Sequence, residues 1–306
     1  MRAFRIGFIG AGSIVPTHMR ALESLGCAEL IAICSRSAEH AQAAARDRNM
    51  SVYTDSEVML RHERLDAVFV AVPPYVAPAM CRLLTARGVP FLVEKPVAAL
   101  DPKLACQVAD EVERSGLVAA VGYQLRGLDF LEHVRDQIRV RTPELVLARW
   151  LGSTPNSEWW KKSELSGGQV VEQMTHLYDL ATTLLGAATV VAASSGGGST
   201  TALLRFDSGA VGTFVNTHHA MQTSIAIELV SIAAIWLDPE RSAWILTLAG
   251  KPPMTTSRSP YEVQAEAFLN AVATHDPTRV LATYRSGLNT YLLTRSVYDY
   301  AGRGKD

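Results

Sequence analysis

The chain has 306 residues, 48% of them hydrophobic and 19% charged, with a formal net charge of −1. That length suits two domains with separate apolar cores, and the composition excludes a disordered or low-complexity polymer. The even charge balance leaves no basic footprint for nucleic acid and no polybasic patch for an anionic membrane, so a small-molecule partner is expected. Cys27, Cys34, Cys81 and Cys106 lack C-x-x-C spacing and read as reduced thiols. The start Met1-Arg2-Ala3-Phe4-Arg5 runs into a short apolar strand without a signal-peptide pattern, and no apolar run has the length of a membrane span. A cytoplasmic location is the expectation.

Up to about residue 121, apolar strands alternate with helical segments, the pattern of a parallel sheet with crossover helices. Strands are expected at 4–9, 30–34, 51–53, 67–72, 90–93 and 118–121, and helices at 16–25, 38–46, 56–61 and 76–87. A further helix follows Asp101, its expected cap, with Pro102 in its first position. After Tyr123 the rhythm changes to one helix at 129–139 and then a strand-rich stretch with strands at 145–150, 189–194, 201–206, 210–217, 224–230, 234–237 and 243–248. Helices return at 261–274 and 285–300. The expectation is an α/β Rossmann domain over 1–121 followed by an α+β domain over 122–306, built on an open, mostly antiparallel sheet. Alternation of Ile225, Ile227 and Leu229 with Ser224, Ala226 and Glu228 gives that sheet one buried face, and the other is the expected homodimer or homotetramer interface.

Directly after the first strand comes Gly10-Ala11-Gly12-Ser13-Ile14-Val15. The first glycine permits the tight turn, and the second lets backbone amides approach a pyrophosphate at the helix start. Val15 stands in the place of a third glycine, which serves helix packing and not phosphate contact. The second strand ends in Cys34-Ser35-Arg36, without the carboxylate that would bind the ribose 2′-hydroxyl of NAD. A hydroxyl beside a guanidinium suits a 2′-phosphate, so NADP(H) is the preferred cofactor and NAD(H) the alternative.

Several further motifs follow in order: His18 soon after the glycine turn, Val72-Pro73-Pro74 ending a strand, Glu94-Lys95-Pro96 after another, and Gly167-Gly168 leading to Glu172 and His176. Together they resemble the Gfo/Idh/MocA oxidoreductases, named for glucose-fructose oxidoreductase, inositol dehydrogenase and rhizopine catabolism, across essentially the whole chain. The resemblance implies a catalytic role for Lys95, whose place at the C-terminal end of a strand suits a donor to a substrate oxygen. It implies cofactor contacts from Gly10, Gly12, Ser13, Ile14, Ser35, Arg36, Val72, Pro73, Glu94 and Lys95. It also implies substrate contacts from Tyr123, Arg126, Trp160 and Lys161, with packing as the other reading of Trp160. Tyr75 and Ala77 stand where many relatives carry histidines.

Ser166 and Gln169 have capping-box spacing, so one helix is expected to start there and carry Glu172, His176, Asp179 and Thr183 as a polar stripe. Histidine is the natural general base near neutral pH, and Glu172, where relatives more often have aspartate, would orient it. Asp179 is expected to bind backbone or an arginine. A metal is not expected, since hydride transfer needs none. The neighbours His218 and His219 are expected on opposite faces of a strand, unable to act as a pair. The function these residues imply is hydride transfer between nicotinamide and a secondary alcohol or ketone of a sugar, polyol or related molecule. A non-catalytic NADP-sensing regulator and an NAD-assisted glycosidase are the alternatives of the same architecture.

Overall fold

The computed structural model describes residues 2–302. Its contacts divide the chain into two compact units, Met1–Gly127 with Ser259–Leu288, and Leu128–Arg258 with Asn289–Asp306. The chain thus returns to its first unit late in the sequence, where a single cut near residue 122 has no such return.

The first unit holds β1 (Phe4–Ile9), β2 (Ala28–Cys34), β3 (Ser51–Tyr53), β4 (Ala67–Val70), β5 (Phe91–Val93) and β6 (Ala119–Val121) in the order β3-β2-β1-β4-β5-β6, every pair parallel. Crossovers are supplied by α1 (Val15–Leu25), α2 (Ala38–Ala45), α3 (Ser56–His62), α4 (Ala77–Ala86) and α5 (Lys103–Ser115). β4 is buried at all four positions, as a strand covered on both faces must be. Ser37 and Asp55 cap α2 and α3 by accepting from His40 N and Val58 N. At α5 the cap residue is Pro102, one position later than expected, while the Asp101 carboxylate still accepts the Lys103 N–H at 3.0 Å.

One core of this unit joins Ile6 and Phe8 of β1, Val15, Met19 and Leu22 of α1, and Phe69 and Leu92 to Ala265, Phe268 and Leu269. The last three lie on α10 (Pro260–Thr274), which explains the return: its apolar face completes the core beside α1. Val15 is fully buried there, so the residue in the third-glycine place is a packing residue.

The second unit is built on eight strands: β7 (Leu145–Ser153), β8 (Ala188–Gly196), β9 (Ser199–Phe206), β10 (Val211–Thr217), β11 (His219–Leu229), β12 (Ala233–Asp238), β13 (Ala243–Leu248) and β14 (Met254–Thr255). Their order is β14-β13-β12-β11-β7-β10-β9-β8, with β7 and β10 parallel and the other pairs antiparallel. On β7, Val146 and Ala148 are buried while Leu145, Leu147 and Arg149 are exposed, so the two faces differ; on β11, Ile225, Ile227 and Leu229 are buried and Glu228 is exposed as expected, but Ala226 is buried as well. This unit also carries α6 (Leu131–Val140), α7 (Ser163–Ser166), α8 (Gly168–Glu172) and α9 (Thr175–Leu185), and α11 (Tyr284–Gly302) ends in it. Tyr178 of α9 stacks on Phe214 of β10 at 4.6 Å, seating that helix on the buried face. Among the described residues no helix is long and apolar enough to cross a membrane.

Gly10 has φ +112, and a β-carbon there would stand 2.1 Å from Ala71 O, whereas nothing lies within 4 Å of the same point at Gly12. Gly10→Ala is therefore expected to lose well over ~1 kcal/mol of stability, the ordinary cost of a left-handed alanine plus a backbone clash. Gly12→Ala should unfold at nearly the parent temperature; thermal unfolding of the two variants side by side checks the contrast.

Candidate active site

In the first unit the candidate residues gather at the C-terminal ends of the parallel strands. Gly10 N donates to Cys34 O at 2.8 Å, drawing the turn after β1 against the end of β2. The helix that follows starts without a side-chain cap on Ile14 and without an acidic residue in its first turn. The Val15 and Thr17 N–H groups are taken by Gly12 O and Ile14 O, and Pro16 has none, but the positive helix end and the open space over Gly12 give the turn Gly10, Gly12, Ser13 and Ile14 the sign that a pyrophosphate needs. Between β2 and α2, Ser35 N donates to Tyr53 O at 3.1 Å, and Arg36 is exposed on the turn. Val72 and Pro73 continue from β4 toward Gly10, and Pro73 O accepts from Val76 N and Ala77 N as the chain enters α4. Tyr75 is 40% exposed on that turn, while Ala77 is buried inside α4.

At the end of β5 the Glu94 side chain lies inward. Its Oε1 is 2.7 Å from His18 Nε2, and its Oε2 accepts the Lys95 N–H at 3.2 Å. Lys95 is half-buried and joined to Pro96 by a cis bond. Tyr123, just after β6, is fully buried with the Arg126 guanidinium 5.9 Å from its ring centre. Arg126 also donates to Leu281 O at 3.1 Å. Buried Tyr123 thus packs against cationic Arg126, an arrangement worth about 0.5–2 kcal/mol when partly desolvated.

The second unit holds the other candidates, and it corrects the single helix expected from Ser166 onward. α7 ends on Gly167 at φ +77, Gly168 follows at φ +72, and α8 then runs only to Glu172. A side chain at Gly167 would meet Val171 at 2.6 Å, so the glycine pair is what lets the chain fold back. Ser166 is not the helix cap: its hydroxyl lies 2.9 Å from Trp160 O and 3.1 Å from Lys162 O and accepts from Gly168 N. A second break falls at Gln173 and Met174, where Met174 N reaches back to Gln169 O and not to the carbonyl four residues before it. The polar stripe therefore spans two helices, with Glu172 ending one and His176 in the first turn of the next.

Glu172 accepts the Trp160 indole N–H at 2.8 Å. Trp160 is 5% exposed, and its ring meets His218 edge-on at 5.5 Å. Packing and a polar contact are thus combined in one residue, while Lys161 is exposed and paired with Glu158. His176, 5% exposed, stacks nearly flat on Trp150 of β7. Gln169 fixes the preceding helix to the sheet by donating to Thr217 O and accepting from Asn216 Nδ2, both on β10. Asp179 is fully buried and accepts from the Thr290 hydroxyl at 2.9 Å, a partner that sequence spacing does not reveal.

His218 and His219 also depart from expectation. Their ring centres are 4.2 Å apart, because His218 lies in the bend between β10 and β11 where strand alternation does not apply. Both rings crowd the point where Gly198 would carry a β-carbon. Burial, and then the neighbouring His219, lowers the His218 pKa. Among the described residues no three His, Cys, Asp or Glu side chains form a metal-holding group.

Sequence spacing did not assign His18 a role, although it lies on the buried face of α1 among Val15, Met19 and Leu22. A histidine at an apolar helical position was the available signal; its partner is 76 residues away. Lys95 stands on the first unit, and Glu172 and His176 on the second.

Residues 4–123 match the family described as "Oxidoreductase family, NAD-binding Rossmann fold", and residues 139–231 match the GFO/IDH/MocA C-terminal domain. The rhizopine catabolism protein MocA of Rhizobium meliloti is 27% identical over 190 residues, 61% of this chain and 58% of that protein, so the match spans a little over half of its length. Among solved structures, UDP-N-acetylglucosamine 3-dehydrogenase GnnA from Acidithiobacillus ferrooxidans superposes with a TM-score of 0.83 at 20% identity, covering 99% of each chain. The WlbA dehydrogenase from Bordetella pertussis, in complex with NADH and UDP-GlcNAcA, gives 0.81 at 21% identity over 99% of this chain and 96% of that one. Two matched domains in the expected order, on a parallel sheet followed by a mostly antiparallel one, place the chain in the Gfo/Idh/MocA family of oxidoreductases with an NAD-binding Rossmann fold.

Proposed function

We propose that this protein is an NADP-preferring dehydrogenase or reductase acting on a secondary alcohol or ketone of a sugar, polyol or related small molecule. The observation that carries the reading is Lys95 at the C-terminal end of β5, in the same sheet whose first turn offers an uncapped helix start and an open glycine to a dinucleotide. The relatives described as acting on or holding nucleotide sugars support the substrate class. When bound, the nicotinamide supplies the acceptor or donor of hydride.

In the oxidative direction a His176 ring nitrogen takes the proton of the substrate hydroxyl. Its ring is already oriented by the stack on Trp150. Glu172, steadied by the Trp160 indole, orients that base, and the Lys95 ammonium donates to the substrate oxygen as its charge changes. Trp160 and Lys161 complete the proposed substrate contacts, while Tyr123, expected among them, is fully buried and packs under Arg126. On the cofactor side Ser35 and exposed Arg36 receive the 2′-phosphate, while Val72, Pro73 and Glu94 line the dinucleotide. The exposed face of the eight-stranded sheet, with Leu145 and Leu147, is the proposed surface for a homodimer or homotetramer.

A panel of polyols, sugars and nucleotide sugars with NADP and NAD tests the reaction. Lys95→Met and His176→Ala should each lower turnover about 10²- to 10⁴-fold with dinucleotide affinity nearly unchanged, the range of a lost acid–base group; parental rates would refute the assignment. Arg36→Ala should weaken NADPH binding about tenfold and leave NADH nearly as before, since one charge-assisted contact is worth roughly that; fluorescence titration reads both, and a parent that binds NADH more tightly removes the NADP preference. Leu147→Asp should lower the mass seen by light scattering, and an unchanged mass would place any self-association elsewhere.

A further inference from the structure

A histidine buried on a core helix needs a partner to offset its desolvation, and His18 has found one far away in the chain. The residue is 1% exposed, with Nε2 at 2.7 Å from Glu94 Oε1. Phe69 lies 5.3 Å from the ring on one side, and Tyr261 meets it edge-on at 5.4 Å. Among the described residues His18 Nδ1 is buried with no hydrogen-bond partner. The ring hydrogen therefore belongs on Nε2: placed on Nδ1 alone, it would set two lone pairs against each other at 2.7 Å and bury an unanswered N–H. His18 is a donor, and the Glu94 carboxylate its acceptor.

The same carboxylate is held from one further direction, where Oε2 takes the backbone N–H of Lys95. A β-carbon at Gly122 would stand 3.0 Å from the carboxylate carbon, so a side chain there would oblige Glu94 to shift by a few tenths of an ångström. The Glu94 backbone is anchored as well, its N–H donating to Val70 O on β4. Burial, and then the Glu94 charge, pushes the Tyr261 phenol up, consistent with an enclosed carboxylate beside it. Pinning the amide of Lys95 fixes the plane of its peptide and hence the direction in which its side chain leaves the strand end.

We propose that His18 is a positioning residue for Lys95, acting through the Glu94 carboxylate that it holds against the Lys95 backbone amide. The importance of this to catalysis rests on the reading of Lys95 as the donor to substrate oxygen, but the positioning can be observed without turnover. Lysines of the full-length protein are reductively methylated with ¹³C-formaldehyde, and the Lys95 signal is assigned by its loss in Lys95→Arg. His18→Leu removes the donor and keeps bulk, His18→Gln keeps an N–H that can reach the carboxylate, and Gly122→Ala presses on the carboxylate without touching His18.

The expected result is a displaced Lys95 resonance whose titration midpoint moves by about half a pH unit or more in His18→Leu and in Gly122→Ala, because the ammonium and the carboxylate are re-aimed relative to each other. His18→Gln should restore most of the parent signal, and the remaining lysines should not move in any variant. A Lys95 signal and midpoint identical to the parent in Gly122→Ala and in any folded His18→Leu protein overturns the proposal, and a fall in thermal stability alone would then mark His18 as a packing residue. Should His18→Leu fail to fold, His18→Asn, too short to bring its N–H to the carboxylate, takes its place, and a parent Lys95 signal in it overturns the proposal. Loss of turnover in Lys95→Met tests the catalytic reading separately, so either claim can fail while the other stands.

Discussion

At Gly10 the turn leaving β1 passes so close to β4 that Ala71 O would stand 2.1 Å from a β-carbon on it. This contact is set by sheet order: β1 lies between β2 and β4, and the chain turns from one direction of winding to the other between β1 and β4. Open parallel sheets bind ligands at that reversal, outside the carboxyl ends of the strands. Without the close approach, α1 could not start where it does, and its positive end would not stand over the strand ends. Glu94 and Lys95, one strand further along at β5, are placed by the same geometry.

The helix that starts at the proposed dinucleotide turn also reaches back into the core. Val15 and Met19 pack among Phe8 and Phe69, and His18 from the same helix holds Glu94. In the proposed reading one element serves phosphate recognition at its end and side-chain placement along its flank. The α1 start has no acidic residue in its first turn, and the nearby buried carboxylate is answered by His18 and by a backbone N–H. The Glu94 carboxylate is thus turned toward His18 and the Lys95 amide and not left without donors.

Much of the first unit was legible because its signals are local. Strand β1, the short β3 and helix α2 were placed within a residue or two by their apolar and alanine-rich runs, and the glycine turn, Pro73 and Pro96 follow strand ends. Long-range consequences were not legible. Nothing in the period of α10 announces that its apolar face belongs to the first unit, since a helix stripe says that it is buried but not against what. The contacts of Asp179 with Thr290 and of His18 with Glu94 span 111 and 76 residues and have no spacing rule. In the second unit the apolar pattern runs unbroken through Gln173 and Met174, so the break between α8 and α9 leaves no trace in hydrophobicity. The His218–His219 contact was misjudged because alternation was applied one residue beyond the end of a strand.

These misses are concentrated where the proposed chemistry is. A continuous helix from Ser166 to Leu185 would satisfy propensity and pattern at once, yet the chain spends two left-handed glycines and a five-residue reach at Met174 to divide it. Breaks of that kind cost local stability and persist where neighbouring packing holds them. Here the holding is visible: Gln169 is tied twice to β10, Ser166 to the backbone of Trp160, and Tyr178 to Phe214. Division lets Glu172 and His176 be aimed by separate supports, Trp160 for the carboxylate and Trp150 for the imidazole, which a single straight helix would have locked to one common rotation.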